Sequence, residues 1–230
     1  MKTYRNLYFD LDRTLWDFEA NSRETLQDIY QKYQLYNYFN DFDAFFITYL
    51  RINEKLWDGY RLGSIKKDFL RTHRFTATLE TVGINDEALA EKIGNEYIEK
   101  SPLKTQLFEG AIELLEYLKP KYKLYIITNG FKEVQHIKLQ QCGLTHFFDK
   151  VFISEEIGYS KPRPETFHYA ISSVQSLKEE SLMIGDDLEI DILGAKKYGI
   201  DQVYFNQNHI PHNERITFEV AALLEIKNFL

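Results

Sequence analysis

Apolar positions along this chain fall into two regimes. From Ala20 to about Lys100 they recur at helical spacing, and strand-like runs are absent. Leu26, Ile29, Tyr30 and Tyr33 share one face of a first helix. Phe42, Phe45, Phe46, Tyr49, Leu50, Leu56, Trp57 and Tyr60 form a long i, i+3, i+4, i+7 stripe. Gly63-Ser64 reads as a stop followed by an N-cap, opening a third helix with Phe69, Leu70 and His73. Asp86 can cap a fourth, bearing Leu89, Ile93 and Tyr97. The block is expected to be an all-helical bundle.

Elsewhere, helix and strand alternate. Leu7 to Phe9 is a short apolar run of the kind that forms a buried parallel strand. After Gly110 come a helix on Ala111, Leu114, Leu115 and Leu118, and a strand from Lys123 to Thr128. Then follow a helix from Phe131 to Gln141 stopped by Gly143, a strand from Val151 to Ser154, and a helix from Pro164 to Val174. Ser181 to Ile184 is a strand, Leu188 to Tyr198 a helix, and Val203 to Phe205 a strand. Thr217 to Val220 is a last short strand and Ala221 to Phe229 a final helix. The expected fold is α/β: a doubly wound parallel sheet, residues 1–15 and 101–230, with a helical domain, residues 16–100, inserted after the first strand.

With 230 residues, 44% of them hydrophobic, the chain can bury a sizeable core. Its 28 Lys and Arg against 35 Asp and Glu leave a formal charge of -7, which argues against a nucleic-acid polymer or an anionic membrane as the main partner. Cys142 is the single cysteine, so an intramolecular disulfide and a cysteine metal cluster are excluded. Met1 to Arg5 is polar and basic and the apolar run after it is too short for a leader, so a cytoplasmic protein is expected.

In such a sheet, ligands gather at the carboxyl ends of the strands. The first strand delivers Asp10 and Asp12, the second Thr128-Asn129-Gly130, the third Lys161-Pro162 one loop on, and the fourth Asp186, Asp187 and Asp191. Asp10 and Asp12, at i and i+2, point the same way along an extended chain, so a cation or a shared proton must offset their repulsion. Taken alone, that pair suits a metal site, an acid/base pair or both. With the other strand ends it becomes more specific. Acids around one point suit an oxygen-loving cation such as Mg²⁺. A hydroxyl, backbone N–H groups and a lysine suit the oxygens of a phosphoryl group.

These elements resemble the four ordered motifs of the haloacid dehalogenase (HAD) superfamily. D-x-D-x-[TV] is matched by Asp10, Asp12 and Thr14, the strand-ending Ser/Thr by Thr128, the Lys-Pro motif by Lys161, and the acidic G-D run by Gly185, Asp186, Asp187 and Asp191. More narrowly, Ile127 to Phe131 and Ile153 to Pro162 resemble the pyrimidine 5'-nucleotidase branch. The resemblance implies a Mg²⁺-dependent phosphomonoester hydrolase that works through an aspartyl-phosphate on Asp10. It implies Asp12 as proton carrier, and metal ligation by Asp10, Asp186 and the Asp12 backbone carbonyl. It also implies phosphate binding by Thr128, Asn129, Gly130 and Lys161, with Asp187 and Asp191 in support. Trp16 and Phe18, just after the first motif, are candidates for stacking on a base. The implied partner is a small phosphorylated metabolite, a nucleoside monophosphate first, for a monomer or homodimer. A phosphatase for a sugar phosphate or phosphoglycolate is the alternative. A dehalogenase is disfavoured by Asp12, and a non-catalytic nucleotide-binding protein by the intact motif set. Arg13 stands where the family often has a small or acidic residue.

Overall fold

The structure, a computed structural model, describes residues 3–230. Met1 and Lys2, at the head of the segment read as carrying no leader, lie outside the described residues. Among the described residues, no helix is long and apolar enough to cross a membrane.

A parallel sheet carries the functional residues. Its strands are β1 (Asn6–Phe9), β2 (Lys123–Thr128), β3 (Lys150–Ile153), β4 (Ser181–Gly185), β5 (Asp201–Phe205) and β6 (Phe218–Val220). Their order across the sheet is β3-β2-β1-β4-β5-β6. The β1 strand lies centrally, with Phe9 level with Ile126 on one side and Ile184 on the other. Both faces of the sheet are packed. Leu7, Phe9, Leu124, Ile126, Leu182 and Ile184 enter one core, whereas the alternate residues Tyr8, Tyr125, Ile127 and Met183 enter a second on the opposite face. Side chains of a strand alternate between faces, so near-continuous apolar runs are what a strand buried on both sides requires.

Between β1 and β2 the chain forms helices α1 (Phe18–Lys32), α2 (Phe42–Arg61), α3 (Lys67–Glu80), α4 (Glu87–Lys100) and α5 (Ala111–Leu118). Two compact units result: one ends at Phe18 and resumes at Thr105, and the other runs from Glu19 to Lys104. The helical unit has its own core, in which Leu26, Ile29, Tyr30, Phe45, Tyr49, Phe75, Leu79, Ile93 and Tyr97 are buried. Asp41 caps α2 by accepting from the Ala44 N–H at 2.8 Å, and Asp86 caps α4 by accepting from Leu89 at 2.9 Å. Ser64 does not cap α3: its hydroxyl donates back to the Gly59 carbonyl at 2.8 Å, and Lys66 holds the N-cap position.

After β2 come α6 (Lys132–Gln141), α7 (Ser154–Ile157), α8 (Pro164–Ser173) and α9 (Gly194–Tyr198). The helix expected from Leu188 opens instead as a π-helical turn, Leu188–Leu193, before α9. Its wide loop is marked by the Ile192 N–H donating to the Asp187 carbonyl at 3.2 Å, five residues back. The final helix is of 3₁₀ type, Leu223–Asn228.

Candidate active site

The carboxyl edge of β4, β1 and β2 brings the acids, the lysine and the hydroxyl together. Asp10 follows β1 directly, and its N–H donates to the Ile184 carbonyl on β4 at 2.9 Å, which extends the ladder by one residue. Chain-to-chain pairing therefore fixes Asp10 beside the end of β4, where Gly185 leads into Asp186. Asp10, Asp186 and Asp191 each offer a carboxylate oxygen within 4.8 Å of the others. Lys161 reaches into this group from the loop after α7, with Nζ 2.6 Å from Asp10 Oδ1 and 2.6 Å from Asp191 Oδ1. Its side chain is only 1% exposed.

Gly185 makes the approach of Asp191 feasible. A Cβ at Gly185 would lie 2.4 Å from Asp191 Oδ2, so any larger residue there would displace the carboxylate. The π-helical turn supplies the other half of the fit by carrying Asp191 back under the strand end. Asp187 is used differently. Its carboxylate caps that turn, accepting from the Glu189 N–H at 3.0 Å and the Ile190 N–H at 2.9 Å.

The electrostatics follow from crowding in a dry place. Burial pushes the Asp10 carboxyl up to about 7, with Lys161 opposing and Asp191 reinforcing the rise. Loss of surrounding water, then the charges of Asp10 and Asp191, hold Asp186 well above the ordinary carboxylate range, while the Thr14 hydrogen bond opposes. Burial also raises Asp191, against Lys161. For Lys161, burial alone would lower the ammonium's pKa, but Asp10 and Asp191 outweigh it and hold the group above the ordinary lysine range. Fully ionised, three carboxylates against one ammonium would carry two net negative charges, and the raised carboxyls reflect that cost. A divalent cation with oxygen ligands offsets that excess, so the residues present are consistent with a Mg²⁺ site.

Around this centre, Thr14 donates from Oγ1 to Asp186 Oδ1 at 2.9 Å. At the end of β2, the Gly130 N–H donates to Thr128 Oγ1 at 3.0 Å. Asn129 clamps the Lys161 backbone from both sides, its amide accepting from the Lys161 N–H at 2.9 Å and donating to the Lys161 carbonyl at 2.9 Å. Those bonds have the Asn129 side chain brace the loop that carries Lys161.

Asp12 stands apart from the acidic cluster. Lys138 Nζ binds Asp12 Oδ1, and Gln135 Nε2 donates to Asp12 Oδ2 at 3.1 Å. Neither Gln135 nor Lys138 was among the residues singled out by sequence. The signal was there: Phe131, Val134, Gln135, Lys138 and Leu139 sit at i, i+3, i+4, i+7 and i+8, and all are buried. Two polar residues inside an otherwise apolar inward stripe need buried partners.

Trp16 is the clear departure from expectation. It has no exposed surface and packs in the core beneath the sheet edge, with Lys138 Nζ 3.8 Å from its ring centroid. A ring covered in this way offers no face to a base, so Trp16 is not a stacking platform. Phe18 is partly exposed, and the Arg13 guanidinium lies over its ring at 4.4 Å. Arg13 adopts a left-handed backbone, φ 68°, within the turn that its N–H closes on the Trp16 carbonyl at 2.8 Å.

A family model for haloacid dehalogenase-like hydrolases matches residues 4–199. The chain belongs to this family. Within it, the chain is 34% identical to YfnB of Bacillus subtilis, a HAD-hydrolase by name, over 100% of this chain and 97% of that protein. It is 33% identical to the pyrimidine 5'-nucleotidase YjjG of Escherichia coli, over 97% of this chain and 96% of YjjG. Identity is 31% to the pyrimidine 5'-nucleotidase PynA of Streptococcus pneumoniae, over 99% of this chain and 95% of PynA. The fold agrees with an orthorhombic crystal structure of YfnB bound to magnesium: the TM-score is 0.90 at 30% identity, over 99% of this chain and 98% of that one. The HAD core with a helical insertion after β1 is thus the architecture of this protein.

Proposed function

We propose that this HAD hydrolase is a Mg²⁺-dependent phosphatase whose substrates are pyrimidine nucleoside 5'-monophosphates. The observation that carries the chemistry is Asp10, buried beside Asp186 and Asp191 and held by Lys161. The nucleotide class is supported by the two full-length relatives named as pyrimidine 5'-nucleotidases. A cytoplasmic site of action belongs to the same reading.

Asp10 and Asp186 would hold the cation, with the Asp12 backbone carbonyl. Bound Mg²⁺ supplies neutralisation of the charge shared by Asp10 and an anionic phosphoryl group. The protein's own groups do the rest. Lys161 orients the Asp10 carboxylate and offers positive charge to phosphoryl oxygens, as the Thr128 hydroxyl and the backbone N–H groups around Gly130 offer hydrogen bonds. An Asp10 oxygen attacks phosphorus, the bond to the ester oxygen breaks, and Asp12 gives its proton to that leaving oxygen. Asp12 then takes a proton from the water that attacks phosphorus, which frees Asp10 and releases inorganic phosphate.

A phosphate-release screen with Mg²⁺ tests both levels. Uridine and thymidine monophosphates should exceed sugar phosphates and phosphoglycolate in kcat/KM by about 10-fold or more, on the scale of discrimination that a substrate pocket provides. A sugar phosphate at the head of the ranking would remove the nucleotidase reading and leave the phosphatase. No release from any ester, p-nitrophenyl phosphate included, would remove both.

A further inference from the structure

We propose that Gln135 and Lys138 are positioning residues, a clamp on α6 that aims the Asp12 carboxylate at the leaving oxygen. The inference rests on the phosphatase reading and adds two residues to its machinery.

The clamp takes both carboxylate oxygens, Lys138 on Oδ1 and Gln135 on Oδ2. The two residues are three apart on one helix, so they project from the same face. Both are enclosed: Gln135 is 1% exposed and Lys138 4%. The Lys138 ammonium also lies over the Trp16 ring, 3.8 Å from its centroid. A buried ammonium needs such a setting, since an unpaired charge away from water is costly.

Gln135 also ties Asp12 to Thr128. The Gly130 N–H donates to Thr128 Oγ1 at 3.0 Å, the Thr128 hydroxyl donates to Gln135 Oε1 at 3.3 Å, and Gln135 Nε2 donates to Asp12 Oδ2 at 3.1 Å. Donors and acceptors run one way along this chain, so the Gln135 amide has one orientation. Gly130 is part of the same construction. A Cβ there would lie 1.9 Å from Gln135 Nε2, and only glycine lets the amide pass. Thr128 and the carboxylate assigned to the leaving oxygen are thereby linked through one side chain, and a phosphoryl oxygen would take the Thr128 hydroxyl proton in place of Gln135 Oε1.

Asp12 matters most when the leaving oxygen needs a proton. An alkyl phosphate leaves a basic alkoxide, whereas p-nitrophenyl phosphate leaves a stable phenolate that departs unprotonated. Loss of aim should therefore depend on the leaving group, and loss of fold or of local positive charge should not. The test uses the full-length protein with Mg²⁺ in single-turnover and burst measurements, on glycerol 2-phosphate and p-nitrophenyl phosphate. Lys138→Met and Gln135→Met should each slow ester cleavage of glycerol 2-phosphate by about 10- to 100-fold, within the range of general-acid catalysis. The p-nitrophenol burst rate should fall by a markedly smaller factor than glycerol 2-phosphate cleavage, because its leaving group needs no proton. Lys138→Arg should restore much of the ratio between the two substrates.

Equal losses on both substrates, with unchanged thermal melting, would overturn the clamp, as would unchanged cleavage of glycerol 2-phosphate. If Lys138→Met does not fold, Gln135→Met and Lys138→Arg still carry the comparison. A parent protein that forms no phosphoenzyme and releases no phosphate would instead overturn the phosphatase reading on which the clamp rests.

Discussion

Asp10 shows how much one residue's surroundings decide. As a lone carboxylate it would be ionised well below neutral pH; burial in the cluster holds it protonated up to about 7. Asp10→Asn should abolish turnover and phosphoenzyme formation while the thermal midpoint stays at or above the parent's, because one like charge leaves the cluster. Mass spectrometry of the acid-quenched protein and a melting curve check this. The raised carboxyls also set a pH dependence. Without metal, the folded protein binds protons at Asp10 that the unfolded chain releases from about pH 4 upward, so their stabilising effect fades as pH rises through about 7. Mg²⁺ should reverse that loss above pH 7, adding about 2.7 kcal/mol at a concentration 100 times Kd. It should add little near pH 5, where protons hold the same oxygens. Melting curves with Mg²⁺ and with EDTA at the two pH values measure the difference, and Asp186→Asn should abolish it. Trp16 belongs to stability. Trp16→Ala leaves a hole in a closed core and should cost about 3–5 kcal/mol, read by denaturant unfolding.

Single elements were legible in the sequence to different degrees. The central strands were plain, because a strand buried on both faces must be apolar throughout, and Leu7 to Phe9 and Lys123 to Thr128 are. The turn after β4 was not, because a π-helical turn and an α-helix present the same apolar spacing for their first residues. What separates them here is the burial of Asp191 under Gly185, a tertiary fit. The start of α3 was misassigned for a similar reason: Ser64 has a hydroxyl suited to capping, but the nearer Gly59 carbonyl takes it. Within the helical unit, α1 and α4 are joined through Glu96, whose carboxylate lies 2.5 Å from Lys32 Nζ and 2.6 Å from Lys100 Nζ. Burial alone would raise Glu96, but Lys100, Lys32 and Tyr33 outweigh it and hold the carboxyl down to about 2. A depressed carboxylate stabilises fully above its unfolded pKa, and that stability is lost as pH falls through the folded value. The helical unit should therefore weaken between about pH 4.5 and pH 2, by on the order of 1 kcal/mol because both lysines are partly exposed to screening solvent. Glu96→Gln should flatten that limb of the acid titration followed by helical circular dichroism.

At the scale of the whole molecule, two units with separate cores predict departure from a single unfolding transition. The calorimetric enthalpy should exceed the van 't Hoff enthalpy. Trp16→Ala should shift the component belonging to the sheet unit, and Phe75→Ala, in the other core, the component of the helical unit. One transition with equal enthalpies in both variants would refute that separation.

By itself, the sequence determined the class of fold and the polar residues at each strand end. Both follow from local rules: apolar period sets element type, and a parallel sheet sends the residues after its strands to one edge. Tertiary structure alone decided how those residues divide the work. Asp191 joins Asp10 and Asp186, while Asp187 is spent on a cap. Asp12 goes to Lys138 and Gln135, two polar positions on the inward stripe of α6 whose partner that stripe does not name. Trp16 is buried where its position in the chain suggested a platform. Which partner a buried polar group takes depends on side chains far along the chain, as with the separation of 126 positions from Asp12 to Lys138, and no local pattern encodes that distance.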